Sequence, residues 1–234
     1  MNILGIDSAR ERLLIAVIKN ANDCDKGKVF FAESACFSKH NREIIPKIDE
    51  TLRASGLDIG EIDVFAAVTG PGSFTGIRVG VCTASGFGFA LSRKLIGVSA
   101  FEIMLCGKEK SAVALIDALH GNFYAGRYLN GKLETAFLEN LDLTALEKNI
   151  FFAADDTDLT LAPSTLDGGA DLNARSVIAD GLNARVRTPV YMENCTDYAE
   201  NFAAILRKKA FAGDFSETLQ PLYLRKSQAE RENP

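Results

Sequence analysis

The chain has 234 residues, 47% of them hydrophobic, enough for one large domain or two small ones. A formal net charge of −5 argues against nucleic-acid binding by this chain alone, because a phosphate backbone is met by a basic field. Five cysteines without a Cys-x-x-Cys pair suit reduced thiols, and two distant histidines, His40 and His120, make no metal clamp.

Residues 2–6, 13–18 and 29–33 are short apolar runs with polar turns between them and read as an antiparallel meander. The first run meets Asp7 at once and has no basic stretch before it, so it reads as a strand and not as a signal peptide. No apolar run approaches the ~20 residues of a membrane span, and a cytoplasmic chain without membrane contact is expected. A helix is expected from Ser38 to Gly56, with Ile44, Ile45, Ile48 and Leu52 on its apolar face. Pro46 removes one of its hydrogen bonds, so the helix either starts near Glu43 or kinks at the proline.

Strand 64–68, a glycine turn, helix 75–91 and strand 94–98 form a β-α-β unit with parallel pairing. A second round then begins. Residues 112–117 end on Asp117 as the first run ends on Asp7, and strands follow at 122–128 and 132–138. A helix near 142–149 and a strand near 150–154 complete a second β-β-β-α-β order. Residues 155–172 read as a loop, and a helix capped by Thr196 runs to 209 with Phe202, Ile205 and Leu206 apolar. Its basic Arg207-Lys208-Lys209 complements a helix C-terminus. Three segments are expected: a lobe at 1–103, a shortened lobe at 104–215, and a C-terminal segment with a mobile tail at 216–234.

The glycine turn Thr69-Gly70-Pro71-Gly72-Ser73-Phe74-Thr75-Gly76 is neither a P-loop nor a dinucleotide fingerprint, lacking Gly-Lys-[Ser/Thr] and a third spaced glycine. Two readings stay open. The turn aims N–H groups at an anion, with Ser73, Thr75 and Arg78 as contacts, or it is a plain strand-to-helix turn with capping hydroxyls. Along the helix, Gly76, Gly80, Ala84 and Gly88 recur every four residues and form a small face. Each glycine costs about 1 kcal/mol of helix propensity, so close approach is needed there, by the sheet, a neighbouring helix or another protein. Ile77, Val81 and Phe89 supply apolar surface for any of these. Asp7 and Asp117 stand where sugar-kinase-like folds carry Asp-x-Gly-Thr, but Ala9-Arg10 and Leu119-His120 break the pattern, so structural aspartates are also consistent. His40 reads as a solvated helix-start residue, and Cys82 and Cys106 read as core thiols.

The segment Gly70-Pro71-Gly72-Ser73-Phe74-Thr75-Gly76-Ile77-Arg78-Val79-Gly80 resembles the signature of the TsaB (YeaZ) family of bacterial tRNA threonylcarbamoyladenosine biosynthesis proteins. Supporting matches are Ile3-Leu4-Gly5-Ile6-Asp7-Ser8-Ala9, His40, Asp117-Ala118 with Gly121-Asn122-Phe123-Tyr124, and Pro221-Leu222-Tyr223-Leu224-Arg225. Leu119 replaces the family's arginine and Asn122 its glutamate.

The resemblance implies an α/β fold of two actin/sugar-kinase/Hsp70-like (ribonuclease H-like) lobes, the second shortened and divergent. It implies a non-catalytic partner and activator of the paralogue TsaD, joined by the ATPase TsaE, with tRNA met only through the complex. ATP and metal would sit on those partner subunits and no cofactor on this chain. Self-pairing as a homodimer through the same helices is also implied, with Gly76, Ile77, Gly80, Val81, Ala84, Gly88 and Ile45 as the docking face. A small ATPase or kinase using Asp7 is the competing reading, opposed by the missing glycines. A metallopeptidase is opposed by the two isolated histidines.

Overall fold

The computed structural model describes residues 1–10, 12–23, 27–34, 40–107, 112–118, 122–138, 176–180, 192–194 and 197–224. The chain divides into two units, one made of Met1–Ile103 with Asp197–Tyr223 and a second that starts at Met104 and runs to Thr196.

The first unit has five strands: β1 (Ile3–Asp7), β2 (Leu13–Lys19), β3 (Lys28–Ser34), β4 (Val64–Gly70) and β5 (Lys94–Ser99). They lie in the order β3-β2-β1-β4-β5. The meander pairs antiparallel, with Gly5 opposite Ala16, and β4 joins β1 in parallel, with Gly5 opposite Ala66. Helices α1 (His40–Ser55) and α2 (Phe74–Leu91) pack on one side, while α4 (Tyr198–Ala212) packs against β1, β2 and β5; a short helix, α3 (Ala100–Met104), follows β5.

Strand alternation gives the two sides of the sheet. A side chain added at Gly5 would meet Phe202 and Leu206 of α4, whereas one added at Gly80 of α2 would meet Ile6 and Ser8. Gly5 and Ile6 are successive residues and point opposite ways, so α4 and α2 cover opposite faces. This explains why β1 reads as a continuous apolar run and is buried at every position. It also moves one helix. The helix expected at the end of the second lobe belongs to the first unit, because Phe202, Leu206 and Ala210 bury themselves there beside glycine-thinned β1.

Helix α1 starts at His40 and continues through Pro46 without ending. Its core face is Ile44, Ile48 and Leu52, while Ile45, expected beside them, is 52% exposed. Helix α2 is capped by Ser73 and stops at Ser92, whose φ is 53°. By length and composition α2 is apolar enough to cross a membrane, contrary to the expectation from apolar runs, but here it forms one layer of an α/β unit. Helix α4 stops at Gly213, with φ 71°. In its last turn Lys209 Nζ lies 3.1 Å from Glu102 and 2.8 Å from Asp214. Burial alone would lower the Lys209 pKa, but the hydrogen bond to Asp214 and the charge of Glu102 outweigh it, and the net shift is upward.

The second unit has strands β6 (Ala112–Asp117), β7 (Phe123–Leu129), β8 (Lys132–Leu138), β9 (Ser176–Asp180) and β10 (Met192–Asn194). Their order, β10-β9-β6-β7-β8, is the order of the first sheet. Strands β6, β7 and β8 pair antiparallel, and β9 joins β6 in parallel, as β4 joins β1. Asp117 ends β6 as Asp7 ends β1, so the strand order of the expected repeat is present. The strand that joins β6 is Ser176–Asp180; the helix and strand expected at 142–154 and the loop at 155–172 lie outside the described residues, as do Leu119 and His120. Arg127 is buried on β7 and places Nε and Nη2 each 3.1 Å from Glu134 of β8.

Candidate functional site

The glycine turn between β4 and α2 is filled by the chain's own backbone. The hairpin loop after β1 lies against it, and Ser73 N–H donates to the Ala9 carbonyl at 2.7 Å. A Cβ on Gly72 would overlap that same Ala9 oxygen, and a Cβ on Gly76 would overlap the Ser8 carbonyl oxygen. Ser8 Oγ donates to the Gly76 carbonyl at 2.8 Å, and a Cβ on Gly80 would crowd that hydroxyl. On the other flank, Gly70, at φ 124°, has the Leu222 carbonyl oxygen 2.8 Å from where its Cβ would stand. The Gly70–Pro71 peptide bond is cis. Gly70, Gly72 and Gly76 thus make room for backbone segments distant in sequence, and Gly80 for the Ser8 side chain.

Several polar groups of the turn are used internally. Gly76 N–H donates to Ser73 Oγ at 3.2 Å, making Ser73 a helix cap, and Ile77 N–H donates to the Ser73 carbonyl. Thr75 is exposed. Arg78 is engaged with aromatic side chains: its guanidinium carbon lies 3.9 Å from the centroid of the Phe74 ring and its Nε donates to Tyr223 Oη at 3.0 Å.

Asp7 is fully buried at the end of β1. Its carboxylate accepts from Ala9 N–H and from the Tyr198 hydroxyl, both at 2.9 Å, and lies 3.6 Å from Arg10 Nε. The Arg10 guanidinium stacks on the Tyr198 ring, its carbon 3.3 Å from the centroid. Arg10 therefore sits beside the aspartate, at the residue after the position where the phosphate-binding pattern has its glycine. Among the described residues, no cluster of three or more His, Cys, Asp and Glu side chains could hold a metal ion. Nothing is described of the His40 side chain.

The small face expected to dock a partner is an internal face. Gly76, Ile77, Gly80, Val81, Ala84 and Gly88 are all buried, and a Cβ on Gly88 would meet Leu95 of β5 at 2.5 Å. The partner that the glycines admit is this chain's own sheet and hairpin. The opposite side of α2 carries Thr75, Val79, Cys82, Gly86 and Phe89, spaced four, three, four and three residues apart, the spacing of a helix–helix seam. Phe89 is 91% exposed, Cys82 is exposed, and a Cβ on Gly86 would meet nothing within 4 Å. Exposed Ile45 lies on α1, which packs beside α2. Of the residues expected to dock, only Ile45 is exposed, and sequence reasoning missed Val79, Cys82 and Gly86. Their three-and-four spacing was the available signal, overshadowed by the regular glycines.

Two sheets with the same strand order, each a meander joined by parallel strands, define the ribonuclease H-like, actin/sugar-kinase type of duplicated α/β fold. A family model described as "TsaD: tRNA N6-adenosine threonylcarbamoyltransferase" matches residues 34–221. The chain is 34% identical over 133 residues to the tRNA threonylcarbamoyladenosine biosynthesis protein TsaB of Escherichia coli, covering 55% of each chain. It is 30% identical over 147 residues to the TsaB of Haemophilus influenzae, covering 59% of this chain and 58% of that one. These alignments span little more than half the length of the curated relatives. A solved structure of YeaZ from Pseudomonas aeruginosa has the same fold, with a TM-score of 0.66 at 20% identity over 95% of this chain and 99% of that one. The chain belongs to the family of that model, and the curated relatives it resembles over part of their length are TsaB proteins.

Proposed function

We propose that this chain is a non-catalytic partner and activator of the TsaD threonylcarbamoyltransferase in forming threonylcarbamoyladenosine next to the tRNA anticodon. The observation that carries the reading is the exposed seam on α2. Phe89 is 91% exposed, and Gly86 lies in a helix interior where nothing in the described chain needs a glycine. A glycine there costs about 1 kcal/mol relative to alanine and lets a second helix approach closely. Together with Ile45 of α1, the seam offers a two-helix surface to a paralogue of the same fold, or to a second copy of the chain.

The filled glycine turn supports the non-catalytic part. Ala9, Ser8 and Leu222 occupy the space around it, and Arg10 accompanies Asp7, so the room a nucleotide phosphate would take beside the glycines is filled by this chain. ATP and metal are accordingly proposed to sit on the partner subunits, TsaD and the ATPase TsaE, with tRNA reached through the assembly in the cytoplasm.

The test is reconstitution of tRNA threonylcarbamoylation from purified components with and without this chain. Modification that depends on the chain supports the reading, and equal modification without it overturns it. Titrating the isolated chain with Mg-ATP is the companion measurement, and micromolar binding would revive the small-ATPase alternative.

A further inference from the structure

The segment after α4 takes up the opposite flank of the glycine turn and touches α2. Ser216 N–H donates to the Leu95 carbonyl of β5 at 2.9 Å, and Leu219 is buried, 3.6 Å from where a Cβ of Gly97 would stand. Leu222 N–H then donates to the Thr69 carbonyl of β4 at 2.8 Å, while its own carbonyl presses on Gly70. The segment ends on the first turns of α2. There the Tyr223 ring packs on Phe74 with centroids 4.8 Å apart, and its hydroxyl accepts from Arg78 Nε. Arg78, exposed and without an ion pair among the described residues, stacks on Phe74 from within α2.

We infer that residues 216–223 form a strap that fixes the N-terminal end of α2, with Tyr223 as the positioning residue, and that this strap sets the orientation of the seam offered to the partner. The physical ground is that, among the described residues, the contacts on that side converge on Tyr223. The sheet-facing side of the first turns is held by Gly76 against Ser8, whereas the outward residues Phe74 and Arg78 make their ring and hydrogen-bond contacts, among the described residues, with each other and with Tyr223. An aromatic pair and a stacked guanidinium each add a modest stabilisation beyond area burial, and their joint loss is felt locally and not across the core. The docking half of this inference rests on the proposed function; the anchoring half does not.

The experiment uses the full chain and two readouts. Amide hydrogen exchange of the isolated protein is measured for wild type, Tyr223→Ala and Tyr223→Phe, followed by affinity for the purified transferase paralogue. Tyr223→Ala is expected to speed exchange in the first two turns of α2 by about tenfold, with β1 and β4 unchanged, and to weaken pairing by a similar factor. Tyr223→Phe, which keeps the ring, restores most of both. Unchanged exchange in folded Tyr223→Ala overturns the strap, and faster exchange with unchanged pairing overturns its role in docking. If wild type itself does not pair, the proposed function fails while the exchange data still decide the strap. Should Tyr223→Ala not fold, Arg78→Gln removes the guanidinium stack and the same exchange comparison applies.

Discussion

The glycines of α2 have opposite signs when replaced by alanine, and the sign follows from what each faces. At Gly86 nothing lies within 4 Å of an added Cβ, so Gly86→Ala gains the helix-propensity difference and stabilises by about 0.5–1 kcal/mol. At Gly76 the added methyl would overlap the Ser8 carbonyl oxygen, a backbone atom tied into the β1–β2 hairpin. Overpacking of this kind costs about 1–3 kcal/mol. Shifting Ser8 also weakens the buried bond from its hydroxyl to the Gly76 carbonyl, a further loss of about 1 kcal/mol. Set against a propensity gain of about 1 kcal/mol, the net loss for Gly76→Ala is about 1–3 kcal/mol. For a chain of this size each kcal/mol moves Tm by roughly 2–4 °C, so far-UV circular dichroism melts separate the two variants. Gly86→Ala should melt slightly above wild type and Gly76→Ala clearly below it. If Gly76→Ala melts at or above wild type, or if the two variants shift together, the assignment of the small face to internal packing is wrong.

Removing the buried charge at the end of β1 should be expensive. Asp7→Asn leaves Arg10 and the Tyr198 hydroxyl without their carboxylate, and urea unfolding should show a loss of about 3 kcal/mol. The exposed seam should behave in the opposite way: Phe89→Lys and Ile45→Lys should each change the monomer's stability by less than about 0.5 kcal/mol in the same assay. Lys209 gives a pH signature. Its folded pKa is raised above 10.5, so the stability it contributes is fully present below that value and is lost as pH rises through the folded pKa. The stability gap between wild type and Lys209→Met should therefore hold constant up to about pH 10 and shrink above it, and a gap that grows with pH would contradict the assigned ion pairs.

Much of the architecture was legible because apolar periodicity reports local geometry. The meander, the β-α-β unit and the second meander of β6, β7 and β8 all follow from short apolar runs and their turns, but the strand that joins β6 in parallel, Ser176–Asp180, is not among the expected ones. What escaped was contact between distant segments. Four-residue spacing of Gly76, Gly80, Ala84 and Gly88 says that something comes close but not what, and the answer is Ser8, Ile6 and Leu95 of this chain. The Tyr198 hydroxyl meets Asp7 across 191 positions of sequence, and Arg78 meets Tyr223 across 145, beyond the reach of any local pattern. Ile45 was placed with the buried isoleucines because a helix face is broad, and one step of 100° is enough to bring it to the surface. Chain order alone puts helix α4 in the second lobe, whereas its apolar residues fit the space left by Gly5.

The central claim is that the exposed side of α1 and α2 joins this chain to the transferase paralogue. It is tested most directly by titrating purified TsaD with wild type and with the double variant Ile45→Lys/Phe89→Lys in an isothermal calorimeter. The account predicts a saturable complex with wild type and none with the double variant, at unchanged melting temperature. Equal affinity for both proteins would contradict it.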